Sequence, residues 1–226
     1  TDGIVVKCRR SMEAVFNEIV RQWERETGFS TEEVRYKATY SRDINNYIAV
    51  YEEPQKGQLF KTKGAYGKTS PKKNAVMEIC VDAVKAFIAT GVPLIETISA
   101  CRDIRRFTSM RAVAGGAVKG YEYNYIQVGN EKVRAGVKNG IFLGKLIRWY
   151  YSTAADGEIV YAKTGNKVAL SDGAMPCMDL PEEFPLDIDY EKYVAEAQKI
   201  LTKIGYFQGV KIDEESDEKE LIEDEV

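Results

Sequence analysis

The sequence predicts an α+β fold, with antiparallel strands and a helix at its start and a mainly helical part with β-hairpins after them. Three observations predict it. Apolar residues recur at 3,4 spacing within residues 12–23, 76–88 and 190–204; residues 34–40 alternate strictly; and Gly-Asn or Asn-Gly pairs punctuate residues 121–170. The first is the period of a helix with one buried face, the second that of a half-buried strand, and the third marks tight hairpin turns.

In chain order, Ile4-Val5-Val6 is expected as a short buried strand. Met12, Val15, Phe16, Ile19, Val20 and Trp23 then form one helix face, with Ser11 as its cap and Gly28 as its stop. Val34, Tyr36, Ala38 and Tyr40 alternate with Arg35, Lys37 and Thr39. A second strand over 47–52, a turn at Pro54-Gln55-Lys56-Gly57 and a third strand around 59–63 complete a small antiparallel sheet. Residues 64–73, rich in Gly, Ser, Pro and Lys, read as a connection, and the narrower stretch 67–73 as a linker. Asn74 is placed as the cap of a helix whose apolar face is Val76, Ile79, Cys80, Ala83, Val84, Phe87 and Ile88, ended by Gly91; Pro93 starts another helix running towards Phe107. Gly129-Asn130, Asn139-Gly140 and Gly165-Asn166 are expected hairpin turns. A proline-rich loop from Pro176 to Pro185 precedes a last helix with Tyr190, Tyr193, Val194, Ala197, Leu201 and Ile204 on its apolar side.

A length of 226 residues with 44% hydrophobic content supports a sizeable core. The apolar runs fall far short of the ~20 residues that span a bilayer, and no charged-then-apolar leader opens the chain, so no membrane partner is expected. Thr1 in place of an initiator Met suggests a start cut from something longer. Cys8, Cys80, Cys101 and Cys177 are scattered without a C-x-x-C pair, which suits reduced thiols in a cytoplasmic protein. The chain contains no histidine, which removes Ser-His and Cys-His catalytic pairs and mixed Cys/His zinc sites. Carboxylates, lysines or metals are left to carry any chemistry.

The formal charge of -3 conceals an uneven distribution. Residues 213–226 hold nine acids and one lysine, so the 31 bases and 26 acids before them leave the body net positive. The tail from 210 to 226 is expected to be disordered. Lys56 to Lys73 contains six lysines and no acid, and Cys101 to Arg148 ten bases and three acids. Each is either a solvated face or a nucleic-acid footprint.

Three local motifs can be weighed on chemistry. Gly67-Lys68-Thr69 lacks the earlier glycine of a nucleotide-binding P-loop, because Thr62 stands there, so a linker touching phosphate is the alternative to a plain solvated one. Gly115-Gly116 with Lys119 and upstream Arg105, Arg106 and Arg111 could present N–H groups and cations to a phosphate, or form a surface loop. Asp2, at the head of an apolar run, could ligate a hard cation such as Mg²⁺ or be an exposed turn residue.

The order of these elements carries more than any one of them. Thr1-Asp2 comes first, then a helix ending in Trp23-Glu24, a Tyr36-Lys37 strand, Asn45-Asn46-Tyr47-Ile48-Ala49-Val50, and Lys61-Thr62-Lys63-Gly64 before a helical part. This series resembles the C-terminal third of family B DNA polymerases, of the kind found in tailed bacteriophages. The resemblance covers residues 1 to about 206 and is weakest between Ala112 and Leu170. It implies that 1–66 end the catalytic palm, that 67–73 link palm to thumb, and that 74–209 form the thumb.

The family's Asp-Thr-Asp turn holds a catalytic metal ligand at its second Asp, which Asp2 matches; Gly3 replaces the usual following Ser. The family's Lys-Lys-x-Tyr contact with primer-template DNA resembles the segment ending at Tyr47. Ile44 and Asn45 occupy the places of the lysines, leaving Arg42 and Lys37 as the cationic candidates. Lys61, Lys63, Lys68, Lys72 and Lys73 would follow the backbone from palm to thumb. Leu186-Asp187-Ile188-Asp189-Tyr190 and Tyr193 resemble the Asp-x-x-Tyr-Tyr helix that closes many of these thumbs. The implied function is template-directed nucleotidyl transfer to primer-template DNA from dNTPs, with two Mg²⁺ ions shared between Asp2 and carboxylates outside this chain. An N-terminal polymerase portion would be an obligatory partner. A non-enzymatic nucleic-acid-binding module, or a structural interaction protein, remains the alternative on residues alone.

Overall fold

The computed structural model describes residues 3–67 and 77–206. Asp2, Lys68, Lys72, Lys73, the cap assigned to Asn74 and the acidic tail fall outside them. Within the described residues, five α-helices accompany nine strands in three antiparallel sheets.

The first sheet forms where the sequence alternates. Strands β1 (Tyr36–Asp43), β2 (Asn46–Gln55) and β3 (Gln58–Lys63) lie in sequential order. The β2–β3 turn is only Lys56-Gly57, both at positive φ as in a type I′ hairpin turn, and β2 runs on through Pro54. Proline is tolerated there because the β2–β3 ladder shifts between the Val50 and Gln55 pairs. The inner face, with Tyr40, Ile48 and Phe60, joins the main core; Ile48 is fully buried.

Helix α1 (Glu13–Thr27) ends in left-handed Gly28 as expected, but Met12 precedes it with no side-chain cap, and Ser11 lies in a 3-10 turn. Its apolar stripe buries nothing: Val15, Ile19 and Trp23 are all about half exposed. Ile4, Val5 and Val6 likewise form no strand and are exposed, a correction to the buried strand expected there. An apolar run predicts burial only where a partner surface exists, and none of the described elements provides one.

Helices α2 (Glu78–Thr90), α3 (Leu94–Ala100) and α5 (Tyr190–Lys203) pack together, and α4 (Ile104–Phe107) adjoins α2. Met77, in extended conformation, starts α2, and Gly91 closes it. The helix expected from Pro93 to Phe107 is broken, because Cys101 is extended and the Asp103 carboxylate takes the Arg105 N–H at 3.1 Å, capping a new turn.

The part after residue 77 is not mainly helical, which corrects the sequence expectation. Strands β4 (Ser109–Lys119) and β7 (Ile141–Tyr151), flanked by β8 (Val160–Tyr161) and β9 (Ala174–Pro176), make a sheet of order β8-β4-β7-β9. Strands β5 (Glu122–Val128) and β6 (Glu131–Lys138) form a separate hairpin around Gly129-Asn130, where a turn was expected. Gly115-Gly116 concealed β4 from the sequence reading. They occupy a bulge between the Ala112 and Ala117 pairs, and a Cβ on Gly116 would collide with the Phe142 ring.

One continuous core unites these parts. Trp149, Phe107, Tyr151 and Tyr193 are its largest fully buried side chains, and Cys80 is buried with a free thiol whose pKa burial raises. Tyr206 connects the first sheet to the helices, its ring lying 5.3 Å from Tyr40 and 5.5 Å from Phe87. No helix among the described residues is long and apolar enough to cross a membrane.

Candidate nucleic-acid interface

Strand register decides which side chains share the outer face of β1–β3. Ser41, Tyr47 and Lys63 form one cross-strand row, and Thr39, Ala49 and Lys61 the next. Alternation alone would put Tyr36 inside with Ala38 and Tyr40. A bulge between the Tyr36 and Ala38 pairs instead aligns Tyr36 with Tyr51. One inserted residue thereby moves an aromatic ring from the core face to the outer face.

The rings of Tyr36 and Tyr51 stack with centroids 5.4 Å apart, and the Lys61 ammonium lies 6.0 Å from the Tyr36 centroid. Hydrogen bonding to Tyr36 is the main reason the Lys61 pKa rises, so this lysine keeps its charge. Lys61 and Lys63 are exposed, and Tyr36, Tyr47 and Tyr51 half-buried. The two cross-strand rows and the Tyr36–Tyr51 pair contain two cations, three aromatics and no carboxylate. Aromatics interleaved with lysines on a sheet face suit nucleic-acid contact, because ammonium groups meet phosphates while the rings offer flat apolar surface.

The Asp43–Asn46 turn sits at one end of this face. Asp43 accepts hydrogen bonds from Arg42 Nε at 2.9 Å, Asn45 N–H at 2.9 Å and Asn46 Nδ2 at 2.7 Å. The Asn46 amide, then Arg42, lowers the Asp43 pKa to about 2. Asn46 Oδ1 in turn accepts the Ala65 N–H at 2.8 Å. The turn and the Lys63-Gly64 exit from β3 are therefore joined. Gly64, at φ +65°, lies so near that any Cβ would strike the Asn45 carbonyl and the Asn46 side chain.

Of the sequence-selected residues, Tyr47, Lys61 and Lys63 share the outer face, and exposed Lys37 lies in the irregularity beside Tyr36. Arg42 and Asn45 flank Asp43, and Arg42 is already ion-paired there. Tyr36 and Tyr51 were missed; no sequence pattern announces the bulge that turns Tyr36 outward.

The second basic group is not brought together as a patch. Arg105 is forked onto Asp103, with both contacts at 2.8 Å, and Arg106 lies 3.2 Å from Asp82. Lys119 is largely buried, donating to the Ala174 carbonyl at 3.3 Å and pairing with Asp156 at 3.4 Å. Arg111 lies within β4, paired in register with Ile147. Gly116 is buried, and its carbonyl accepts the Ala162 N–H at 3.0 Å, so the diglycine serves strand packing.

Among the described residues no group of three or more Cys, Asp or Glu side chains could hold a metal ion. The Mg²⁺ ligand expected at Asp2 lies outside them. Comparison with protein-family models, curated proteins and solved structures gives no match.

Proposed function

We propose that this chain is the C-terminal palm and thumb portion of a family B DNA polymerase and that the outer face of β1–β3 grips primer-template DNA. The observation that carries the reading is the coincidence of motif and register. Tyr47, Lys61 and Lys63, selected by resemblance from two separate segments, share one face with Tyr36 and Tyr51, and the cross-strand rows that hold them contain no carboxylate. Lysines on such a face hold phosphates without reading bases, which fits an enzyme that must accept every sequence. Asp2 would contribute a carboxylate to a two-metal site completed by the N-terminal polymerase portion, and dNTP binding would also require that portion.

The test has two stages. Binding of the whole chain to a primer-template duplex should weaken steeply with salt, and Lys61→Ala with Lys63→Ala should reduce the log–log slope by roughly 0.9 for each lost phosphate contact. A salt-independent affinity, or an unchanged slope in the double variant, rejects the face as the grip. The polymerase reading is tested by synthesis on a primed template with the longer protein. Asp2→Asn should abolish extension under Mg²⁺ while leaving DNA affinity intact. Extension by this chain alone would overturn its dependence on the N-terminal portion, whereas undiminished extension by the Asp2→Asn protein would reject the catalytic role of Asp2, and a DNA-binding module without catalysis would then describe the chain better.

A further inference from the structure

The β5–β6 hairpin carries a second aromatic and cationic face that the grip on β1–β3 does not use. Tyr123 and Tyr125 occupy alternate positions in β5, so they lie on one side of the strand, and Tyr121, just before it, continues the row through its ring contact with Tyr123. They form a continuous ladder: Tyr121 and Tyr123 meet edge to face at 5.2 Å with their hydroxyls 3.3 Å apart, and Tyr123 and Tyr125 meet at 6.3 Å. Across the hairpin, Arg134 pairs in register with Tyr125, and Lys132 with Gln127. The Arg134 guanidinium also lies over the Tyr123 ring at 4.8 Å and is fixed by a 2.9 Å hydrogen bond to Asn166 Oδ1.

Register separates the charges. The hairpin acids, Glu122 and Glu131, pair with Lys138 and Val128 on the opposite side, together with Ile126 and Val133. Glu158 interacts with Tyr121 at the base of the ladder and is paired with Lys167 at 3.2 Å. Towards the tip the tyrosine side is therefore cationic and aromatic, and Tyr125 there is 54% exposed. Leaving such a ring in water gives up the burial free energy of a large apolar surface, which a flat partner would recover. The half-buried Tyr121 and Tyr123 brace it from behind.

We propose that this face binds single-stranded nucleic acid, with an unpaired base stacked on Tyr125 and the adjoining phosphates held by Lys132 and Arg134. Duplex DNA hides its base faces within the stack; a single strand offers them, and every base has one. The site thus accepts any sequence, like the β1–β3 face, but requires the strand to be unpaired. The proposal stands on its own element and holds whether or not the chain belongs to a polymerase.

The test measures binding of the whole chain to a fluorescent oligothymidylate of about 12 nucleotides and to an abasic strand of equal length. Tyr125→Ala should weaken oligothymidylate binding about tenfold, within the range for one stacked base, and leave abasic binding unchanged. Tyr125→Phe should retain wild-type affinity, because the ring stacks without its hydroxyl. Glu122→Gln, on the opposite side, should change nothing. Equal affinities of wild type and Tyr125→Ala for oligothymidylate, or of wild type for the two strands, would overturn the proposal. A Tyr125→Phe loss as large as that of Ala would overturn stacking as its basis. Duplex binding through Lys61 and Lys63 is read separately, so failure of one site leaves the other's result intact.

Discussion

The Tyr193 hydroxyl donates to the Phe107 carbonyl at 2.7 Å and accepts the Tyr151 N–H at 2.8 Å, tying α5 to the end of α4 and to β7 through one oxygen. The side chain is fully buried, and burial holds its phenol pKa well above the ordinary value, so the donor stays protonated. Tyr193 belongs to the segment whose likeness to a thumb-closing helix was read from sequence. Its neighbours serve the same junction. Asp189 caps α5 by accepting the Lys192 N–H at 3.0 Å, and Asp187 accepts from Tyr150 Oη at 3.2 Å and from the Ser152 hydroxyl.

Tyr193→Phe should therefore cost more than a typical lost hydrogen bond. It deprives two backbone groups of a partner, and each buried group left unsatisfied costs about 1–3 kcal/mol. We expect a loss of about 2–4 kcal/mol in urea unfolding, with the slope against urea unchanged. A loss below about 1 kcal/mol would show that water or backbone adjustment replaces the hydroxyl.

Gly64→Ala and Gly57→Ala separate two costs that glycine normally conceals. Both glycines have positive φ, but a Cβ at Gly57 meets open space, whereas one at Gly64 strikes the Asn45 carbonyl. Gly57→Ala should lose about 1 kcal/mol from conformation alone. Gly64→Ala should lose at least ~2 kcal/mol more, because backbone must move, and its displacement of Lys63 should also weaken duplex DNA binding. Equal losses in thermal unfolding would mean that the Asn45–Asn46 turn yields freely.

Helices α1, α2 and α5 were legible because each has an apolar face of helical period, and Gly28 and Gly91 closed the first two where expected. The three-stranded sheet was legible from alternation and from the Lys56-Gly57 turn. Features set by a single residue's conformation were not. The bulge beside Lys37 turns Tyr36 outward; extended Cys101 divides one expected helix into α3 and α4; and the Gly115-Gly116 bulge makes a long strand resemble a loop. Apolar content also misled at Ile4-Val5-Val6, since hydrophobicity reports a tendency to be covered but not what covers it. The candidate site was half legible: motifs gave Tyr47, Lys61 and Lys63, and only register gave Tyr36 and Tyr51.

Asp43 should make the turn beside this face sensitive to acid. Hydrogen bonds from Asn46 and then Arg42 lower its pKa from 3.8 to about 2 in the folded chain. The folded state thus prefers the carboxylate. Its contribution is complete above the unfolded value, shrinks as pH falls below about 4, and is lost as pH falls through about 2. Asp43→Asn should therefore show a shallower decline in stability than wild type across that window, with the difference gone at lower pH. NMR titration of the Asp43 carboxyl should give a midpoint near 2, with the Asn45 amide moving in step, since that N–H donates to Asp43 Oδ1. An ordinary carboxylate midpoint would show that the turn does not hold this geometry in solution. The same substitution removes the ion partner of Arg42 and frees a cation at the edge of the proposed grip. Duplex DNA affinity at neutral pH and low salt should then rise, by a few-fold if Arg42 gains one phosphate. An unchanged affinity would place Arg42 outside the interface and confine the grip to the lysines and tyrosines of β1–β3.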